Sequence, residues 1–366
     1  MRLQGTIKQF FLLSLICFCF VFNSGCSTIS YGLQIVNGHF HVLSKSDLVD
    51  ELIKKPTTSD LLKQKLLLAK SAKVFAIENL KLPANSSYSR YTNLGREAVV
   101  WNVVVANEFS LELETWCFPI AGCVSYKGFY SFQDADKFAK KKQSENKLEV
   151  AIIDVPAYST LGWSNWLGGD PLLNTFIYGS DTYLVGLIFH ELAHQKIYVK
   201  DDSSFNEAFA TAVERVGVDT WLKMNRSASD LAVYKTDLQR RADFNNLLSK
   251  VSFDLRTLYK TKKLPAEMKL EKDLIMASLR KKLLSFSFVS NFEVQKKAEY
   301  IEWVSSLNNA YLGMIGLYED LTPGFTALII RNNHNWINFY KEVEQLSRLP
   351  KIERREILLK YASELK

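Results

Sequence analysis

His190, Glu191 and His194 stand together in the run His190-Glu191-Leu192-Ala193-His194. Around it Leu184, Leu187, Ile188, Leu192 and Ile197 recur at helical steps behind Asp181, a side chain able to cap a helix start, so the run is predicted to be helical. Four residues make slightly more than one turn, which sets both imidazoles on one face, where two nitrogens can reach one zinc ion at about 2.0–2.1 Å. Glu191 is displaced around the helix and suits a carboxylate that takes a proton from water instead of binding the ion. A zinc site with two His needs at least one more protein ligand. Glu207, in Phe205-Asn206-Glu207-Ala208-Phe209-Ala210, and Glu214 follow His194 by 13 and 20 residues. On a helix starting near Ser204 they are seven apart and can face the same way, so spacing leaves both open. A metal-free reading, a buried polar His-Glu-His cluster, would require several compensating hydrogen bonds.

The chemistry these residues predict is metal-assisted hydrolysis with Glu191 as general base. It calls for a further donor to the developing oxyanion, and Tyr158, Tyr311, Tyr318 and His334 are candidates. With 16 Tyr in the chain, each is more ordinarily a core or surface aromatic, and spacing selects none.

Periodic leucines from Ser44 to Leu82 predict two or three helices. Runs rich in β-branched and aromatic residues at Ala98–Ala106, Val124–Tyr130 and Val150–Val155 predict a small sheet over about 98–156. Active-site helices follow over about 181–217, and then a helical extension to residue 366, broken at Pro265, Pro323 and Pro350. The order predicts an α+β fold, and with no Gly/Pro/Ser-rich linker one catalytic unit over 26–366 is the simplest organisation. The charge of +7 lies on scattered Lys and Arg without a basic block or aromatic interleaving, which argues against nucleic-acid binding.

Arg2 and Lys8, then the apolar stretch Phe10–Phe22, then Asn23-Ser24-Gly25-Cys26 read as an export signal over residues 1–25. The junction resembles a bacterial lipobox, with Gly25 before a Cys26 that would be lipidated and become the mature N-terminus, although Asn23 replaces the usual aliphatic residue. The expected location is the bacterial cell envelope, anchored to a membrane through the lipid; Ser27 is compatible with outer-membrane sorting. Only Cys117 and Cys123 then remain in the mature chain. They are expected either to close a small disulfide loop or to stay as buried thiols, because one strand through both would hold them too far apart.

The segments Ala157–Trp163, Asp170-Pro171, His190-Glu191-Leu192-Ala193-His194-Gln195 and Phe205–Ala210 resemble the putative aminopeptidase family of bacterial lipoproteins. Val36–His39, Trp101-Asn102, Trp116–Pro119 and Asn308–Ala310 extend the resemblance over nearly the whole mature chain. It implies a zincin-like catalytic unit of the gluzincin kind acting on a peptide substrate, with His190 and His194 as zinc ligands and Glu191 as base. The spacing to Glu214 matches thermolysin-like enzymes, but in those enzymes the ligand Glu also follows Asn and precedes Ala, which favours Glu207 as third ligand and leaves Glu214 and Asn206 as supporting partners or alternative ligands. The Gly-x-Met-Glu-Asn segment with which established gluzincin aminopeptidases hold the substrate amine does not occur. The competing function is an envelope lipoprotein with a binding or structural role and no catalysis.

Overall fold

The β-branched runs and the periodic leucines become strands and helices that enclose the His190 segment. The structure, a computed structural model, describes residues 37–38, 41–118, 122–157, 169–286, 289, 294–315 and 321–364. The expected signal, Cys26, Tyr158 and Tyr318 lie outside the described residues. Packing divides the chain into Met1–Lys45 and Ser46–Lys366, and the elements below belong to the second unit.

After β1 (Asp47–Leu48) come α1 (Val49–Lys54) and α2 (Asp60–Glu78), the latter capped by the Ser59 hydroxyl accepting from Leu62 N–H. Next are β2 (Arg90–Thr92), β3 (Val100–Asn107), β4 (Trp116–Phe118), β5 (Gly122–Val124), β6 (Lys127–Phe129), α3 (Phe132–Gln143) and β7 (Leu148–Val155). The expected sheet is therefore interrupted by a helix and divided in two. β6-β3-β7 form an antiparallel sheet, β4 and β5 a separate hairpin. β3 reads as a continuous apolar run because both its faces are covered. Val104 and Ala106 pack on Ala310 and Met314, whereas Trp101 meets Phe132 of α3 edge-on from the other side. β8 (Leu172–Leu173) pairs parallel to β2, which pairs antiparallel to β1.

α4 (Asn174–Ile177) leads to α5 (Asp181–Lys196), which carries His190, Glu191 and His194, and α6 (Ser203–Asn225), which carries Glu207 and Glu214. The cap of α5 is Ser180, whose hydroxyl accepts from Tyr183 N–H, rather than Asp181. Asp181 sits in the first turn and pairs with Lys65 at 2.9 Å and Arg226 at 3.2 Å. The rest is helical: α7 (Ala228–Tyr259), α8 (Pro265–Leu284), α9 (Val294–Ser306), α10 (Asn309–Ile315), α11 (Thr322–Arg331), α12 (Trp336–Ser347) and α13 (Lys351–Ser363). Pro265, Pro323 and Pro350 stand at the starts of α8, α11 and α13, where a missing N–H costs no helical hydrogen bond. The fold is α+β as expected, 65% helical with small sheets and a long helical C-terminal part.

The extension has its own core, in which Leu248, Leu255, Met276, Leu279 and Leu312 pack together. Buried Lys272 ties it to the sheet by pairing with Glu149 and donating to the Glu108 carbonyl at 2.8 Å.

Cys117 and Cys123 face each other across the β4–β5 hairpin and form a disulfide. The chain reverses between them, so the separation expected along a single strand does not arise. The hairpin rests on the connection between α5 and α6, where Cys123 N–H donates to Asp201 Oδ1 at 2.7 Å. Gly122, at φ +75°, leaves room for that carboxylate: a Cβ there would lie 2.2 Å from Asp201 Oδ1.

Candidate metal centre

α5 and α6 can approach closely because glycine stands where they meet. A Cβ on Gly217 would lie 2.9 Å from the Phe189 ring, and one on Gly186 would lie 3.2 Å from both Cγ and Oε1 of Glu214. The polar face of α5 is thereby pressed against the carboxylates of α6.

His190 Nε2 and His194 Nε2 are 3.2 Å apart, and Glu207 Oε2 lies 3.3 Å from the first and 3.6 Å from the second. Three donors around one tetrahedral ion, each about 2.0–2.1 Å from it, would be separated by about 3.3–3.4 Å. The three atoms thus stand close to the corners of one face of such a tetrahedron, and these residues could hold a metal ion. The electrostatics agree. Burial opposes charging of His190, yet its contacts with Glu207 and Glu214 raise its pKa well above the ordinary imidazole value. Burial pushes Glu207 up, but the two imidazoles outweigh it and hold the carboxyl far below the usual carboxylate range. The cluster therefore favours positive charge at its centre, which a metal ion supplies.

Glu214 reaches the other side of the first ligand, with Oε2 3.1 Å from His190 Nδ1. A proton on Nδ1 shared with this carboxylate leaves the Nε2 lone pair directed at the triad. His194 Nδ1, by contrast, is buried without a hydrogen-bond partner among the described residues. Asn206 commits both ends of its amide to the connection instead: Nδ2 donates to the Val199 carbonyl and Oδ1 accepts from Val199 N–H, each at 2.8 Å. Glu191 is buried, and burial raises its carboxyl above the ordinary value despite the opposing pull of His190 and His194.

The remaining sequence candidates have other surroundings. Tyr311 meets Trp303 edge-on at 5.6 Å, against the core of the extension. His334 is exposed at φ +57° just after α11, its N–H donating to the Ile329 carbonyl at 3.1 Å. Neither makes a hydrogen bond or ion pair with the triad among the described residues.

A second polar layer was not anticipated from the sequence. Gln195, four residues after Glu191 and so on the same face of α5, donates to Asp170 Oδ2 at 3.1 Å and to Ser87 Oγ at 3.2 Å, and accepts from Asn85 at 2.6 Å. Tyr88 N–H donates to the Asp170 carbonyl at 2.7 Å. Gln195 could have been suspected from its helical offset; the loop containing Asn85, Ser87 and Tyr88 has no periodicity that would point to the site.

The connection is also anchored from the far end of the chain. Asp202 caps α6 and is buried, with Oδ2 2.8 Å from Arg354 Nε and 2.7 Å from Arg354 Nη2 of α13.

A family model described as "Putative aminopeptidase" matches residues 30–358. No curated protein and no solved structure matches the chain.

Proposed function

The chain belongs to the putative aminopeptidase family, and from that premise we propose that it is a zinc-dependent peptidase with its reaction centre at His190, Glu191, His194 and Glu207. The observation that carries this reading is the convergence of His190 Nε2, His194 Nε2 and Glu207 Oε2 on one point, beside a buried carboxylate that is not among the three.

His190, His194 and Glu207 would hold the ion, and Glu214 would keep His190 in the ligating tautomer. Bound zinc supplies a Lewis acid that polarises the scissile carbonyl and lowers the pKa of water toward neutrality. Glu191 takes one proton from the attacking water as the water oxygen bonds to the carbonyl carbon and the carbonyl electron pair moves onto its oxygen. It then returns that proton to the amide nitrogen as the C–N bond breaks, leaving a carboxylic acid and an amine, and the acid's proton passes to the amine to give a carboxylate and an ammonium group. Burial suits Glu191 to this exchange, because a raised pKa makes it a stronger base than an exposed glutamate.

Metal analysis tests the ligand set. Glu207→Ala is expected to lose zinc on purification. Glu214→Ala removes only the support behind His190 and should weaken affinity by about 10–100-fold while leaving the site able to fill. Full retention by Glu207→Ala together with loss from Glu214→Ala would reverse the two roles.

We further propose that the chain is exported and lipid-anchored at Cys26 in the bacterial envelope, a reading supported by the basic, apolar and small-residue order of residues 1–26. Cys26→Ser should abolish fatty-acid labelling and release the protein from membranes. Unchanged labelling would rule the anchor out.

A further inference from the structure

We propose that Tyr88 is a catalytic residue of this site, donating a hydrogen bond from its phenol to the substrate carbonyl oxygen while that oxygen carries negative charge. This rests on the peptidase reading above. It departs from Tyr158, Tyr311, Tyr318 and His334, the donors the sequence suggested.

Tyr88 is only 5% exposed, and among the described residues its phenol makes no hydrogen bond, but its hydroxyl is not sealed from solvent. Tyr340 donates to the Leu80 carbonyl at 2.8 Å, Tyr259 to Asn309 Oδ1 at 2.9 Å and Tyr300 to the Leu283 carbonyl at 3.2 Å, whereas buried Tyr234, like Tyr88, has no such partner among the described residues. A hydroxyl that keeps access to solvent at the edge of a buried ring is able to take a bound ligand as its partner.

The backbone carrying Tyr88 is constrained as well. Its φ is +64°, in the left-handed region that aromatic residues rarely occupy. Two contacts with the segment before β8 hold it there. Tyr88 N–H donates to the Asp170 carbonyl, and Gly169 crosses so close to the loop that a Cβ on it would fall 2.4 Å from Ser87 N. Asp170 and Ser87 are in turn fastened to Gln195, one turn beyond Glu191 on the same face of α5. The loop is thus attached to the face of the helix that carries the proposed base.

The charge environment keeps the phenol a donor. Burial raises its pKa, and the Glu191 and Asp170 carboxylates raise it further, to well above the usual value for tyrosine. The hydroxyl therefore stays protonated and can meet an oxyanion without transferring its proton.

Tyr88→Phe deletes only the hydroxyl and provides the test. Peptide hydrolysis, zinc content, thermal melting and calorimetric binding of a phosphinic peptide, whose charged tetrahedral oxygen mimics the oxyanion, are measured beside wild type and Glu191→Gln. The expected result is unchanged zinc and melting, kcat lowered by about 10²–10³-fold with little change in KM, and phosphinic-peptide affinity weakened by a similar factor. The proposal is overturned if kcat and phosphinic-peptide affinity both stay within about threefold of wild type, or if the variant loses zinc or melts early, which would make the hydroxyl structural. If wild type hydrolyses and Glu191→Gln does not, such a result removes Tyr88 alone. If wild type cleaves nothing, the peptidase reading falls and Tyr88 falls with it.

Discussion

Glu191→Gln is expected to keep its zinc and lose about 10²–10⁴-fold in peptide hydrolysis. The substitution preserves the shape of a buried side chain on α5 but removes its ability to accept a proton. The atoms proposed to hold metal, His190 Nε2, His194 Nε2 and Glu207 Oε2, converge without any contribution from Glu191. Metal content and catalysis should therefore separate in this variant, whereas they should fall together in Glu207→Ala. A mixed peptide library with free and blocked N-termini adds the question of specificity. Cleavage confined to free N-termini would mark an aminopeptidase, a property for which the chain lacks the Gly-x-Met-Glu-Asn segment. Hydrolysis by Glu191→Gln at the wild-type rate would place the activity elsewhere and leave a binding role for this chain.

The largest expected effect on stability is remote from the chemistry. Arg354 lies on α13, yet its guanidinium is buried against Asp202, the residue that caps the helix bearing Glu207. Arg354→Met would leave the Asp202 carboxylate buried with Lys351, at 3.4 Å, as its one remaining ionic partner among the described residues. Removing one member of a buried ion pair typically costs about 3–5 kcal/mol, most of it the penalty on the charge left behind. A lower denaturation midpoint is expected, together with faster zinc loss, because the first turn of α6 lies immediately before Glu207. The double variant Arg354→Met/Asp202→Asn should cost less than the sum of the single changes, since the asparagine removes the stranded charge while keeping a capping oxygen. Strict additivity in chemical denaturation would show that the two side chains do not act as a pair.

The placement of both imidazoles and Glu191 on one helix was legible in the sequence, because separation along a helix translates directly into angle around its axis. The same local rule put Glu207 and Glu214 on a common face. The α+β order was legible for a related reason: period-two and period-3.6 burial leave different patterns in the chain. Sequence spacing alone could not decide which carboxylate would meet the imidazoles. That depends on where α6 crosses α5, and the crossing is governed by the close approach at Gly186 and Gly217 and by the anchoring of the connection through Asn206, Asp201 and Asp202. At this crossing Glu207 joins the ring nitrogens on the inner side and Glu214 reaches His190 Nδ1 from behind. The disulfide likewise awaited the hairpin, since six residues along a strand and six residues around a turn give opposite answers. Tyr88 was beyond the reach of any local pattern, and Asp170 was marked only by the family resemblance. Ser87, beside Tyr88, and Asp170 reach Gln195 of α5 from separate loops, 108 and 25 residues away in the chain, and such contacts leave no periodic trace, because they are made by packing rather than by the geometry of any one element.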